Sequence, residues 1–229
     1  QVDAFLTISQ EIDAELAEIG VPPERRVFVP NGVDLNRFCP LPAAVRRERR
    51  RQLNLPEGPL AVFTGRLSPE KRVDQLVAIW PAVRQIHPDA SLLLLGDGPE
   101  AEALKRQAGT GVLFGGRVDA VHTYLQAADL FVLPSATEGL SNSLLEAMAA
   151  GLPSLVTAVG GAPDVIEHGL SGWLIAPDST PELETAVISL LGNTTLQQAL
   201  GHRARQKIVA EFGLDSVAAA LYSVYTAVL

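Results

Sequence analysis

Between Pro59 and Ile175 the chain alternates short, largely apolar runs with longer stretches whose apolar positions recur every three or four residues. The runs lie at 60–64, 91–95, 112–114, 130–133, 154–156 and 173–175. The stretches between them predict helices over 73–86, 99–108, 119–128 and 144–150. Strands without polar alternation are buried on both faces, as in a parallel sheet covered by helices. The expected fold is therefore α/β, a doubly wound, Rossmann-like parallel sheet. Ser179-Thr180-Pro181-Glu182 then opens a helix with a capping box and a first-turn proline. Helices over 195–211 and 215–228 close the chain.

The first forty residues read differently. Residues 2–8 predict a strand, Ser9 caps a helix to about Ile19, and 26–29 predicts a second short strand ending at Pro30-Asn31-Gly32. A segment rich in proline and turn residues, 30–42, precedes an arginine-dense helix over 43–53. This break divides the chain into a leading segment, 1–38, and a domain, 39–229. Arginines 46, 47, 49, 50 and 51 read as a solvated helix face rather than an anion-binding surface. The chain opens Gln1-Val2-Asp3 without an initiator methionine or signal pattern, so it is expected to be cut from something longer.

Composition narrows the function. Of 229 residues, 47 % are apolar and 19 % charged, as in soluble globular proteins, and no run approaches the roughly 20 apolar residues of a membrane span. A formal charge of −8 argues against nucleic acid as a partner. Cys39 is the single cysteine, which excludes an intrachain disulfide and a cysteine metal cluster and fits a reducing cytoplasm. His87, His122, His168 and His202 lack metal-ligand spacing, so no metal site is expected.

In such a sheet, ligands sit at the carboxyl ends of the strands, and four loops there carry candidate chemistry. In Glu138-Gly139-Leu140-Ser141-Asn142-Ser143-Leu144-Leu145-Glu146, two carboxylates bracket a close-approach glycine and a helix start whose free amides favour an anion. Against this stands a structural reading: Ser143 and Glu146 have capping-box spacing, and Glu138 is simply solvated. In Gly65-Arg66 to Lys71-Arg72, two cations flank the loop as a pyrophosphate site requires; the alternative is Arg66 paired with Glu70 and a solvated Lys71. Gly96-Asp97-Gly98-Pro99 is a sharp turn that brings backbone near a ligand, but no third glycine completes a dinucleotide fingerprint. Gly115-Gly116-Arg117-Val118 either edge-binds a flat base or is a plain turn.

Taken in order, G-R-L-S-P-E-K-R, L-L-G-D-G-P, F-G-G-R-V, A-D-L-F-V-L-P-S-A-T-E-G-L-S-N-S-L-L-E-A-M-A-A-G-L-P and G-L-S-G-W-L-I resemble the C-terminal half of the retaining GT-B glycosyltransferases of the group 1 family (GT4). The resemblance covers 31–191. V-P-N-G-V-D-L-N-R-F resembles the interdomain connection, and the residues before it the tail of an N-terminal domain that is missing.

The resemblance implies a nucleotide-sugar donor as substrate, no cofactor and no metal, and transfer with retention to a saccharide or lipid-linked acceptor held by the missing domain. It implies a cytoplasmic protein, at most peripheral at the inner membrane face. Glu138, Arg66 and Lys71 take catalytic positions: Glu138 is the first glutamate of the E-x7-E motif and contacts the sugar, while Arg66 and Lys71 hold the diphosphate. Glu146 binds ribose, the amides of Gly139, Leu140 and Ser141 face sugar and phosphate, and Arg117 and Val118 face the base. Gly65, Gly96 and Asp97 complete the donor set. The chain departs from the commonest family pattern at Asn142-Ser143. Two rivals are a nucleotide-sugar epimerase of similar architecture, against which E-x7-E with G-R-x4-K argues, and a non-catalytic nucleotide-binding module.

Overall fold

A computed structural model describes residues 2–228. Two short strands, β1 (Phe5–Thr7) and β2 (Arg26–Phe28), pair in parallel with helix α1 (Gln10–Glu18) between them. A connector leads to α2 (Ala43–Gln52), after which strand and helix alternate: β3 (Leu60–Thr64), α3 (Val73–Ile86), β4 (Ser91–Leu95), α4 (Ala101–Gln107), β5 (Val112–Gly116), α5 (Val121–Leu125), β6 (Leu130–Leu133), α6 (Asn142–Ala149), β7 (Ser154–Thr157), α7 (Ala162–Val165) and β8 (Trp173–Ile175). Helices α8 (Thr180–Leu191), α9 (Thr194–Glu211) and α10 (Leu214–Val228) follow.

Strands β3 to β8 form one parallel sheet in the order β5-β4-β3-β6-β7-β8, which is the expected doubly wound fold. Every residue of β3, β4, β6 and β7 is buried, which is why their sequences show no polar alternation. Trp80 of α3 joins Phe63 and Phe131 of the central strands among the largest fully buried side chains. Burial of each such apolar side chain contributes about 1.5–3 kcal/mol. The chain runs outward from β3 through β4 to β5, then crosses to the other side of β3 for β6. The order therefore reverses between β3 and β6, and a crevice for ligand opens there.

Several expectations need correction. The first strand is confined to three residues, α4 begins at Ala101 and α5 covers only Val121–Leu125. The capping box at Ser179 does not form: the Ser179 side chain caps nothing, and the Glu182 carboxylate accepts from the Ala176 amide at 3.0 Å, closing the preceding loop instead. Nor is α2 a simple solvated face. Arg46 and Arg50 both reach Asp129 just ahead of β6, and the same carboxylate accepts from the Leu60 amide at 2.8 Å, so α2 is tied to the amino edge of the sheet, opposite the ligand edge. Among the described residues no helix is long and apolar enough to cross a membrane.

The connector is held from two sides. Val33 exchanges backbone hydrogen bonds with Phe212 and Leu214 at the α9–α10 junction, and Arg205 of α9 donates to the carbonyls of Leu35 and Phe38. At the opposite edge the strand-end loops are bonded to one another: Gly65 N–H to Leu95 O, Leu67 N–H to Asp97 O, and Gly96 N–H to Gly116 O. Gly96 has φ +135°, and a Cβ there would lie 1.8 Å from the Gly65 carbonyl oxygen. Positive-φ strain and this clash add, so Gly96→Ala is expected to destabilise the domain by roughly 2–4 kcal/mol. An unchanged urea midpoint in that variant would show that the loops do not pack as described.

Candidate active site

Two loops meet across the switch point. In the first, between β3 and α3, a 3-10 turn at Pro69–Lys71 ends on Arg72, whose φ of +51° turns the chain into the helix. The Glu70 carbonyl accepts from the Ala136 amide at 2.8 Å, which ties this loop to the one after β6. Lys71 is not solvated: its Nζ lies 2.7 Å from Oε1 of Glu138, which the Ser135 hydroxyl also reaches at 2.7 Å. The Arg66–Glu70 pair does not form, because Glu70 accepts from Ser68 instead. The exposed Arg66 has no ion pair or hydrogen bond from its guanidinium among the described residues, which leaves it free for an anion.

The second loop decides the helix cap. Helix α6 starts at Asn142, with Ser141 as N-cap and its hydroxyl accepting from Leu144 N–H at 3.4 Å. Ser143 is thus inside the helix and the Ser143–Glu146 capping box does not exist. Glu146 lies one turn further on, half-buried, and its carboxylate accepts no hydrogen bond among the described residues. Burial holds its pKa above the ordinary carboxylate value, with the Arg37 charge acting in the opposite sense.

Glu146 lines a cleft of about 290 Å³ over the switch point. Its floor is Thr64, Gly65, Leu95 and Gly96 from the ends of β3 and β4; one wall is Arg117, Val118 and Val121, the other Asn142, Ser143 and Glu146. Gly65, Gly96, Arg117, Val118 and Glu146, expected from sequence, are thus brought together. Asp97 is not among these lining residues. Its carboxylate folds back on the Gly98 amide at 2.8 Å, and its surface belongs to a separate depression with Lys105 and Gly116. Leu140 is buried, and its carbonyl accepts from Asn31 Nδ2 at 2.9 Å, so the connector reaches the Glu138 loop directly.

Other contributors were not singled out in the sequence. Gly160, with φ +56°, sits under Glu138: a Cβ there would be 2.0 Å from the Glu138 carbonyl oxygen, and the Gly161 amide donates to Gly139 O at 2.7 Å. The Gly160-Gly161 pair after β7 was the available signal. Arg37 of the connector donates from Nε to His122 Nδ1 at 3.2 Å and from Nη2 to the Asp119 carbonyl at 2.7 Å, pinning the loop that carries Val118. His122 is held below the usual histidine range, by burial first and then by Arg37 and Arg49, as suits a neutral ring accepting at Nδ1.

The family model for group 1 glycosyl transferases matches residues 58–193. The chain is 33 % identical, over 233 aligned residues, to a GDP-mannose-dependent alpha-(1-6)-phosphatidylinositol monomannoside mannosyltransferase of Mycobacterium tuberculosis, covering 96 % of this chain and 60 % of the relative. It therefore spans less than two thirds of that relative's length. Among solved structures, Anabaena HepE in complex with UDP superposes with a TM-score of 0.90 at 22 % identity, over 98 % of this chain and 64 % of that one. The isolated C-terminal domain of a group 1 glycosyl transferase (LpcC) from Francisella tularensis gives 0.73 at 19 % identity, over 80 % of this chain and 100 % of that one. Both are likenesses of fold.

The state of Glu146 is directly measurable. An acid whose pKa is raised on folding favours the folded state most while protonated; that contribution is present below its unfolded pKa and lost as pH rises through the folded one. Glu146→Gln is therefore expected to melt at or above the wild-type temperature at pH 7. In a carboxyl NMR titration of the unliganded protein, Glu146 should titrate above the ordinary value of 4.5, and higher still in Arg37→Ala. A clear fall in melting temperature for Glu146→Gln would restore a structural role for this carboxylate.

Proposed function

The chain belongs to the group 1 glycosyltransferases, with the fold of the C-terminal half of a GT-B enzyme, and we propose that it is the donor-binding half of a retaining enzyme of that family. The observation that carries this reading is the unpartnered, half-buried Glu146 carboxylate in a cleft at the switch point. A buried carboxylate without a partner is costly, and vicinal ribose hydroxyls would satisfy it. In this reading the base lies against Val118 on the opposite wall; HepE, whose fold is alike, binds UDP.

From ribose, the diphosphate runs toward the loop holding Arg66 and Lys71 and the first turn of α6, whose amides offer a partial positive charge. The sugar then reaches Glu138 and the Gly139–Ser141 backbone. As the glycosidic bond to the diphosphate breaks, negative charge grows on the leaving group. Cations and amides already in place stabilise that state more than the ground state. Lys71 serves both ends, since it touches Glu138 and extends toward the phosphates.

The acceptor, saccharide or lipid-linked, belongs in this proposal to the remainder of a longer protein. Exposed Leu6 and Phe28 on the two-stranded sheet and Tyr222 and Tyr225 on α10 provide apolar surface against which such a domain would pack. Closure of two domains over the donor then excludes water.

A calorimetric panel of UDP, GDP, ADP and their sugar conjugates tests the reading; a bare scaffold would bind none. Arg66→Ala is expected to weaken nucleoside-diphosphate binding about ten- to a hundredfold with the melting temperature unchanged. Lys71→Ala should match it in binding, but with a lower melting temperature because Glu138 loses its cation. Unchanged affinity in both variants would refute the diphosphate assignment. Glu146→Ala should weaken the diphosphate and the sugar nucleotide alike, whereas Glu138→Ala should chiefly reduce the preference for the sugar nucleotide; equal losses in both variants would sink that division. Finally, the 229-residue chain should bind donor in EDTA yet transfer no sugar. Efficient acceptor-dependent transfer by this chain alone would show the active site to be complete within it.

A further inference from the structure

Glu138 is held by more than its lysine. Ser135, two residues beyond β6, is fully buried, and its hydroxyl reaches the same Oε1 that Lys71 engages. A carboxylate oxygen only accepts, so Ser135 must be the donor. Ser135 is itself fixed from below: the Thr157 hydroxyl, buried at the end of β7, donates to the Ser135 carbonyl. The Glu138 backbone is gripped from the other side by Gly160, where no larger residue fits. Oε1 therefore carries two hydrogen bonds, and Oε2 accepts none among the described residues. Without the Ser135 bond only Lys71 would hold the carboxylate, and its plane would be free to swing about its broad last torsion, moving the oxygen that is left open.

We propose that Ser135, braced by Thr157, is a positioning residue that commits Oε1 of Glu138 to Lys71 and leaves Oε2 to accept a hydroxyl of the sugar on the donor. The proposal rests on the donor reading above and assigns these two residues a part in sugar selection and none in holding the nucleotide. A serine that merely satisfied a buried polar group would affect folding, or all ligands equally. A serine that aims Glu138 changes the discrimination between a sugar nucleotide and its bare diphosphate.

The test is the ratio of the two affinities in Ser135→Ala and Thr157→Val, using whichever of UDP with UDP-glucose, GDP with GDP-mannose or ADP with ADP-glucose the wild type binds. The expected result is a fall of about three- to tenfold in preference for the sugar nucleotide, with diphosphate affinity held within about twofold. An unchanged ratio in both variants overturns the proposal, and so does a parallel loss for both ligands. If Ser135→Ala does not fold, Thr157→Val, which keeps the shape and removes only the hydroxyl, decides by the same ratio. A wild type that binds none of the pairs refutes the donor reading itself, and this proposal with it.

Discussion

The Lys71–Glu138 ion pair organises the ligand edge of this domain. It joins the loop after β3 to the loop after β6, the two strands between which the sheet reverses its order. An exposed pair of this kind contributes little to stability, but here the side chains are only 21 % and 10 % exposed. Removing either partner strands a largely buried charge, a far larger cost than the pair's net gain. The pair therefore fixes geometry more than it adds stability. Backbone bonds between neighbouring loops and the Gly96–Gly65 approach hold the frame in which it sits.

Around that pair, charge is distributed against the global balance. The protein carries a formal −8, yet Arg66 and Lys71 stand in the loop after β3, and the first turn of α6 lines the cleft beside it. Within about a Debye length such local groups outweigh a distant net charge. Glu146, unlike Glu138, has no cation paired with it: it is half-buried and without a hydrogen-bond partner among the described residues. Stability alone would favour a neutral residue there, and in the proposed donor reading ribose hydroxyls satisfy it.

The sheet was legible because burial on both faces leaves an unbroken apolar run, and β3, β4 and β6 appear where those runs predicted them. The strand-end loops were legible for the same reason, since they follow once the strands are placed. Local capping was legible only in part: Ser9 caps α1 as expected. Ser141, Asn142 and Ser143 are all good N-caps, so spacing to Glu146 alone left open a capping box that does not form, and at Ser179 a nearer amide, that of Ala176, captured the glutamate. Tertiary pairings were out of reach too. Nothing near Arg46 and Arg50 in sequence announces Asp129, and nothing near Arg37 announces His122. Asp97 entered the donor set through the resemblance, yet its side chain closes on its own loop.

A crystal structure with an intact, hydrolysis-resistant sugar nucleotide bound tests the central claim most directly. The account predicts ribose hydroxyls on Glu146, diphosphate oxygens within hydrogen-bond reach of Arg66 and Lys71, and the sugar beside Glu138. A nucleotide bound elsewhere on the domain, or one seated in the cleft with Glu146 still unpartnered, would contradict it.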